Sequence, residues 1–205
     1  RTGRRRFAPG IILEGGAVDH DGEGTVLTTR QCLLNPNRNA DWTEAVATTA
    51  LRQSLAAQAV LWLGDGLLND HTDGHVDNLA RFIAPGVVAC QSPQADDPHA
   101  EVLTTTRRVL AGMSDASGRR LTVVDIPSPG RVLDDEGVFQ PASHMNFIIA
   151  NRAVIVPAYN DHAAAAASAL APHFADRELV TLPSRSIIAG GGSFHCISQQ
   201  EPSIS

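Results

Sequence analysis

The feature that most constrains the fold is a recurring order of elements, hairpin then helix then strand, present three times without strong residue identity between copies. In the first copy the apolar stretch at Val18 and the stretch Thr25 to Thr28 flank Asp21-Gly22-Glu23-Gly24, which reads as a turn between strands. Asp41 followed by Glu44 gives a capping-box-like start for an alanine-rich helix to about Ala57, and Ala59 to Leu63 reads as a buried strand. The second copy places strands at Val76 to Ile83 and Val87 to Gln91 around Pro85-Gly86, a helix from about Pro98 to Met113, and a strand at Leu121 to Ile126. The third has strands at Met145 to Ala150 and Ala153 to Tyr159 around Asn151-Arg152, an alanine-rich helix from Asp161 to about His173, and a strand at Glu178 to Leu182. A further unit is expected to open at Ile187, and the chain stops inside it. The fold class is therefore α/β, with residues 1–205 forming a single domain. An array that stops mid-unit is expected to be completed from elsewhere, most simply by an N-terminal segment that precedes this chain.

The polar residues with chemical potential keep phase with this repeat. Glu14, His75 with Asp77, Asn146 and Cys196 all fall at or just before the first strand of successive hairpins. If the units surround an axis, these positions converge on its centre. Gly190-Gly191-Gly192 removes every Cβ from a stretch of backbone, lets another group approach closely, and delivers Cys196 at its end as a candidate nucleophile. His75 and Asp77, two apart on an expected strand, point to one side and can supply proton transfer and cation binding. Cys32 and Cys90 sit among apolar neighbours and read as small hydrophobes. His195 adjoins Cys196, and on a strand it would face the opposite side, so it reads as structural.

Other classes of function fit less well. A net charge of −6 without a long run of like charge gives no electrostatic footprint for nucleic acid or an anionic membrane, and the basic cluster Arg4 to Arg6 reads as a solvated tail. There is no apolar run of about 18 residues and no signal-peptide pattern, so a cytoplasmic location is expected. Three scattered cysteines agree with a reducing compartment. The absence of lysine excludes Schiff-base chemistry by this chain. A rival metal site is suggested by His71 and His75 with nearby carboxylates, but Asp73-Gly74 marks a loop, where a four-residue spacing loses its helical meaning.

The longer strings carry a family resemblance. Leu13-Glu14-Gly15-Gly16, Cys32-Leu33-Leu34-Asn35-Pro36-Asn37-Arg38-Asn39, Thr72-Asp73-Gly74-His75-Val76-Asp77-Asn78 and Gly190-Gly191-Gly192-Ser193-Phe194-His195-Cys196-Ile197-Ser198-Gln199-Gln200 resemble, in this order, the agmatine deiminases. These belong to the guanidine-group-modifying superfamily, with the bacterial type of peptidyl-arginine deiminase as a close relative. The resemblance implies a pseudo-fivefold α/β propeller of ββαβ units, of which this chain covers about the C-terminal three-fifths. It further implies hydrolytic deimination of agmatine, a small cationic guanidine, to N-carbamoylputrescine and ammonia through a cysteine-linked amidino intermediate, in putrescine and polyamine biosynthesis. By motif match Cys196 is the nucleophile, His75 the general acid/base, Asp77 a guanidinium-binding carboxylate and Glu14 the acidic partner of the histidine. Asn146, Gly191 and Gly192 join Asp77 at substrate-binding positions. No metal or organic cofactor is implied.

The chain departs from the family pattern at three places. It lacks the Trp-x-Arg-Asp-x-Gly-Pro string whose aspartate is the second guanidinium carboxylate, Ser193 stands where an asparagine is usual, and His144 where a tyrosine is common. Deimination of peptidyl or free arginine, a zinc-dependent hydrolase and an inactive fragment remain as alternatives. The open ends of an incomplete array are expected to be covered by a second copy or by the missing N-terminal portion.

Overall fold

The computed structural model describes residues 7–201, and the basic cluster Arg4 to Arg6 lies outside them. Three ββαβ units follow one another. The first comprises β1 (Val18–His20), β2 (Thr25–Thr29), a one-turn helix α1 (Arg30–Leu33), α2 (Glu44–Leu55) and β3 (Ala59–Leu63). The second comprises β4 (Ala80–Ala84), β5 (Val87–Ser92), α3 (Ala100–Ala111) and β6 (Thr122–Pro127), and the third β7 (Ile148–Ile149), β8 (Ala153–Ala158), α4 (His162–Leu170) and β9 (Glu178–Pro183). Each unit makes its own three-stranded sheet, ordered β1-β2-β3, β4-β5-β6 and β7-β8-β9. Within each sheet the hairpin pairs antiparallel and the strand after the helix pairs parallel to the central one. The helix is the crossover that a parallel neighbour requires.

The core is shared between units. Leu27, Leu61 and Leu63 of the first sheet pack with Leu103 and Leu110 of α3 and with Val88 and Cys90 of the second sheet. The pattern repeats one unit on, where Val124 and Ile126 of β6 meet Ala166 and Leu170 of α4 and Val154 and Val156 of β8. The crossover helices of the second and third units are therefore each sandwiched between their own sheet and the preceding one. All five residues of β2 are buried, because both of its faces are covered, which is why its sequence does not alternate.

Several expected boundaries move, for local reasons. Helix α2 begins at Glu44 with Thr43 as its cap, the Thr43 side chain accepting from the Val46 amide, whereas Asp41 sits in a left-handed conformation (φ 62°) outside the helix. The helix stops at Leu55 because Ala56 turns left-handed (φ 56°), two residues before the expected end at Ala57 closes. The apolar run expected as a strand from Val76 opens instead with a 3-10 turn, Val76–Asn78, and the strand starts at Ala80. Likewise Met145 to Phe147 precede β7 rather than belonging to it. The expected new unit at Ile187 is a one-turn helix, α5 (Arg185–Ile188). Among the described residues three separate sheets are seen, and not a propeller of five units.

Candidate active site

The irregular segments before the first strands are brought together. The 3-10 turn Gly15–Ala17, which precedes β1, packs on the 3-10 turn Val76–Asn78, which precedes β4. Gly16 is the pivot of this contact: a Cβ there would lie 2.6 Å from both Asp77 Oδ2 and His75 Nδ1. Only a hydrogen fits. His75 and Asp77 thus face the same spot, as a strand would have placed them, although their backbone is a turn.

The Asn-Pro-Asn-Arg-Asn string after α1 fixes the neighbours of this pair. Arg38 donates from Nε to both oxygens of Glu14 (2.8 and 2.9 Å), and from its terminal nitrogens to Asp73 Oδ2 (2.9 Å) and the Thr72 carbonyl (2.7 Å). One buried guanidinium therefore ties the segment before β1 to the segment before β4. Asn39 brackets Ile12, accepting from its amide and donating to its carbonyl. Burial pushes the Glu14 carboxyl up, but the hydrogen bond and charge of Arg38 outweigh it and leave Glu14 below its usual value. Thr29 at the end of β2 donates to the Gly74 carbonyl (2.6 Å), holding the same loop from below.

Cys196 reaches this place from the far end of the chain. Residues 194–197 form a turn, not a strand, so the alternation expected to separate His195 from Cys196 does not apply. Both side chains meet one carboxylate oxygen: His195 Nδ1 donates to Asp77 Oδ2 (2.7 Å), and Cys196 Sγ lies 3.6 Å from the same atom. Asn146 holds the turn. Its Oδ1 accepts from the amides of His195 (2.9 Å) and Cys196 (3.2 Å), while its Nδ2 donates to Asn78 Oδ1 (3.0 Å) and Cys196 Sγ (3.1 Å). Gly192 backs onto the thiol, where an added Cβ would come within 2.8 Å of Cys196 Cβ. Gly191 adopts φ +97°, a conformation that side chains rarely take. Neither glycine is among the described residues lining the cleft beside Cys196.

That cleft, about 520 Å³, is bordered by Glu14, Asp19, His75, His195 and Cys196. Asp19 is the carboxylate that sequence reading did not single out. It binds Arg81 (2.8 Å) and the Phe82 amide (2.6 Å), and Arg81 in turn donates to the Phe147 and Met145 carbonyls on either side of Asn146. The arrangement leaves specific atoms without a protein partner: both ring nitrogens of His75 and Asp77 Oδ1 are buried and unpaired. Unpaired buried polar atoms are costly unless a ligand or water completes them. Crowding around the sulfur and then the Asp77 charge push the Cys196 thiol up to about 11, although the residue itself is exposed. A negative site with a protonated thiol is suited to a cation that would offset Asp77 on arrival.

The model of the Porphyromonas-type peptidyl-arginine deiminases matches residues 1–202. The chain belongs to this family. Among curated relatives of the family, the agmatine deiminase of Pseudomonas putida is 40% identical over 97% of this chain and 59% of its own length. Among solved structures, the agmatine deiminase of Enterococcus faecalis superposes with a TM-score of 0.88 at 38% identity, covering 94% of this chain and 57% of that one. The agmatine deiminase of C. jejuni, solved with substrate bound, has a TM-score of 0.82 at 30% identity, covering 91% and 55% respectively. The chain thus spans less than two thirds of the length of these family members. Its two departures within the glycine and asparagine strings are both internal. Ser193 is buried and bonds Ser184 at the start of α5 (2.6 Å), and His144 is fully buried, donates from Nδ1 to the Pro127 carbonyl (2.7 Å) and stacks near Tyr159. Burial holds His144 neutral, down to about 4. Among the described residues no helix is long and apolar enough to cross a membrane.

Proposed function

We propose that this chain is the cysteine-bearing part of an agmatine deiminase, with Cys196, His75, Asp77 and Glu14 as its reacting and binding groups. The observation that carries the reading is a set of buried atoms left without a protein partner close to one thiol, Asp77 Oδ1, which accepts, and the two ring nitrogens of His75, which borders the cleft with Cys196. A guanidinium is a planar cation rich in N–H donors, and carboxylates hold its plane by charge-assisted bonds. It is also a poor electrophile and calls for a thiolate. In this reading the cation bound against Asp77 lowers the thiol's affinity for its proton, and Cys196 attacks the central carbon as that proton passes to His75. His75 delivers it to the leaving amine, which departs as ammonia, and then takes a proton from the water that displaces Cys196 from the amidino-thioether. Agmatine and water become N-carbamoylputrescine and ammonia, a step on the way to putrescine. Glu14, anchored by Arg38, keeps a negative charge beside His75 through both half-reactions.

Asn146 supports the reading by fixing the amides of residues 195 and 196, while Gly192 permits the close backing of the thiol. Gly191 and Gly192 would contact substrate through backbone if the cleft tightens on binding. The three units support an arc of a five-unit propeller, with the remaining units supplied by a segment before residue 1 or by association with it or a second copy. The family's own description favours one second reading, peptidyl arginine as substrate. Ammonia release by the protein that carries this chain, from agmatine and from a peptidyl arginine in parallel, separates the two. Cys196→Ala is expected to abolish release while leaving the circular dichroism unchanged. Turnover by that variant at the parental rate would overturn the assignment.

A further inference from the structure

Behind the cleft lies a third side chain that deimination does not use. Cys32, on α1, is fully buried, and one ligand atom each from Cys32, Glu14 and His75 lie within 4.8 Å of one another. His75 is only 5% exposed, and neither of its nitrogens has a protein partner. Glu14 spends one direction of each oxygen on Arg38, and a carboxylate has about four acceptor directions in all. The surroundings favour a cation: Arg38 is already matched by Glu14 and Asp73, and Asp77 adds a further carboxylate beside His75.

We propose that Glu14, Cys32 and His75 form a binding site for a thiophilic divalent cation of the zinc class, and that its occupancy shuts the guanidine site. A sulfur, an imidazole nitrogen and a carboxylate oxygen are the donor types zinc takes, and they disfavour magnesium and calcium. Zinc bonds of about 2.0–2.3 Å in a tetrahedron set donors roughly 3.5 Å apart. Closing the present cluster to that size takes side-chain movement on the order of 1 Å. Three protein donors leave a fourth position, and Glu14 and His75 both border the cleft, so it opens toward solvent. On binding, the cation displaces the Cys32 thiol proton to solvent, with no change of oxidation state. The metal is a blocker rather than a reactant: it occupies the His75 nitrogen and places a positive charge where a cationic substrate must lie.

The binding claim stands apart from the deiminase reading, whereas its inhibitory consequence rests on that reading. Cobalt(II) separates them, because thiolate ligation to cobalt gives a near-ultraviolet charge-transfer band that needs no turnover. Titration of the protein with cobalt(II) chloride is expected to raise this band in the parent, in Cys196→Ser and in Cys90→Ser, and to lose it in Cys32→Ser, with zinc(II) abolishing it by displacement. Should Cys32→Ser lose its fold by circular dichroism, His75→Ala carries the same test, with apparent cobalt affinity lowered roughly tenfold or more. A parent without the band, or a band that follows Cys196 rather than Cys32, would overturn the site. In ammonia-release assays zinc should inhibit the parent in competition with agmatine, and Cys32→Ser should require roughly tenfold or more zinc for the same inhibition. Equal sensitivity of the two would overturn the inhibitory role.

Discussion

Cys32 and Cys196 stand a few side chains apart on opposite kinds of backbone. Cys32 belongs to the regular frame: Thr29 caps its helical turn, it packs with Leu33, Ala47 and Trp62, and no part of it reaches solvent. Cys196 belongs to a turn held by side chains from two other segments, and it is exposed. Their acidities hardly differ. Burial first, then the carboxylates of Glu14, Asp70 and Asp73 working against Arg38, push Cys32 to about 12, while desolvation and Asp77 push Cys196 to about 11. A high pKa therefore does not tell the frame thiol from the site thiol. What separates the two is access, because Cys32 has no solvent exposure and Cys196 is exposed.

The comparison can be broken first at Asn146, whose amide group makes three bonds to the Cys196 turn and a fourth to Asn78. Asn146→Ala is expected to lower kcat for guanidine hydrolysis about a hundredfold, the scale expected for a misplaced reacting atom, while KM moves much less. Steady-state kinetics on the parent and on Asn146→Ala would check this, and an unchanged kcat would mean that the turn is held without Asn146.

A smaller effect tests the charge. Because desolvation and then Asp77 raise the Cys196 pKa, the thiolate fraction at pH 8 is small, and alkylation by iodoacetamide should rise with pH up to about 11. Asp77→Asn removes the negative neighbour and moves the thiol down toward 9.0, so alkylation at pH 8 should speed up by about tenfold or less. Mass spectrometry should locate the label on Cys196 and leave Cys32 unmodified in both proteins. A slower reaction in the variant would remove Asp77 as a contributor to the shift. The smallest effect is Cys32→Ala, expected to cost about 1 kcal/mol of stability by urea unfolding. If Cys32→Ala instead lowered turnover as severely as Cys196→Ala, the division between frame thiol and site thiol would fail.

The frame was legible in the sequence because hairpin turns and apolar runs report regular structure directly. Ala59 to Leu63 is a strand at those limits, and all three ββαβ units appear in the expected order. The site was legible as a set of positions in phase, but its geometry was not. Alternation holds only on extended backbone, so it misjudged His195, whose turn swings it onto the same carboxylate as its neighbour. The 3-10 turn Val76–Asn78 runs directly into the strand that starts at Ala80 and is buried with it, which periodicity cannot tell from a longer strand. Arg38 was visible inside a specific motif, yet nothing local to it shows that its partners lie 24 and 35 residues away. Asp19, between Val18 and His20, carries no signal beyond a carboxylate in a short strand, and only the arrival of Arg81 from 62 residues on explains it.

The turn that carries Cys196 also says when in folding the site can exist. Its bonds to Asp77 and Asn146 span 119 and 50 residues of sequence, whereas each hairpin closes within a few. Contacts of such separation form late, since the chain must first be drawn together by the units between them. A chain emerging from synthesis can therefore build and stack its ββαβ units before Cys196 is placed, and Asp77 meets that thiol only after the 119-residue span between them is made. The order of assembly keeps the Cys196 thiol apart from Asp77 and Asn146 until the units between them are in place.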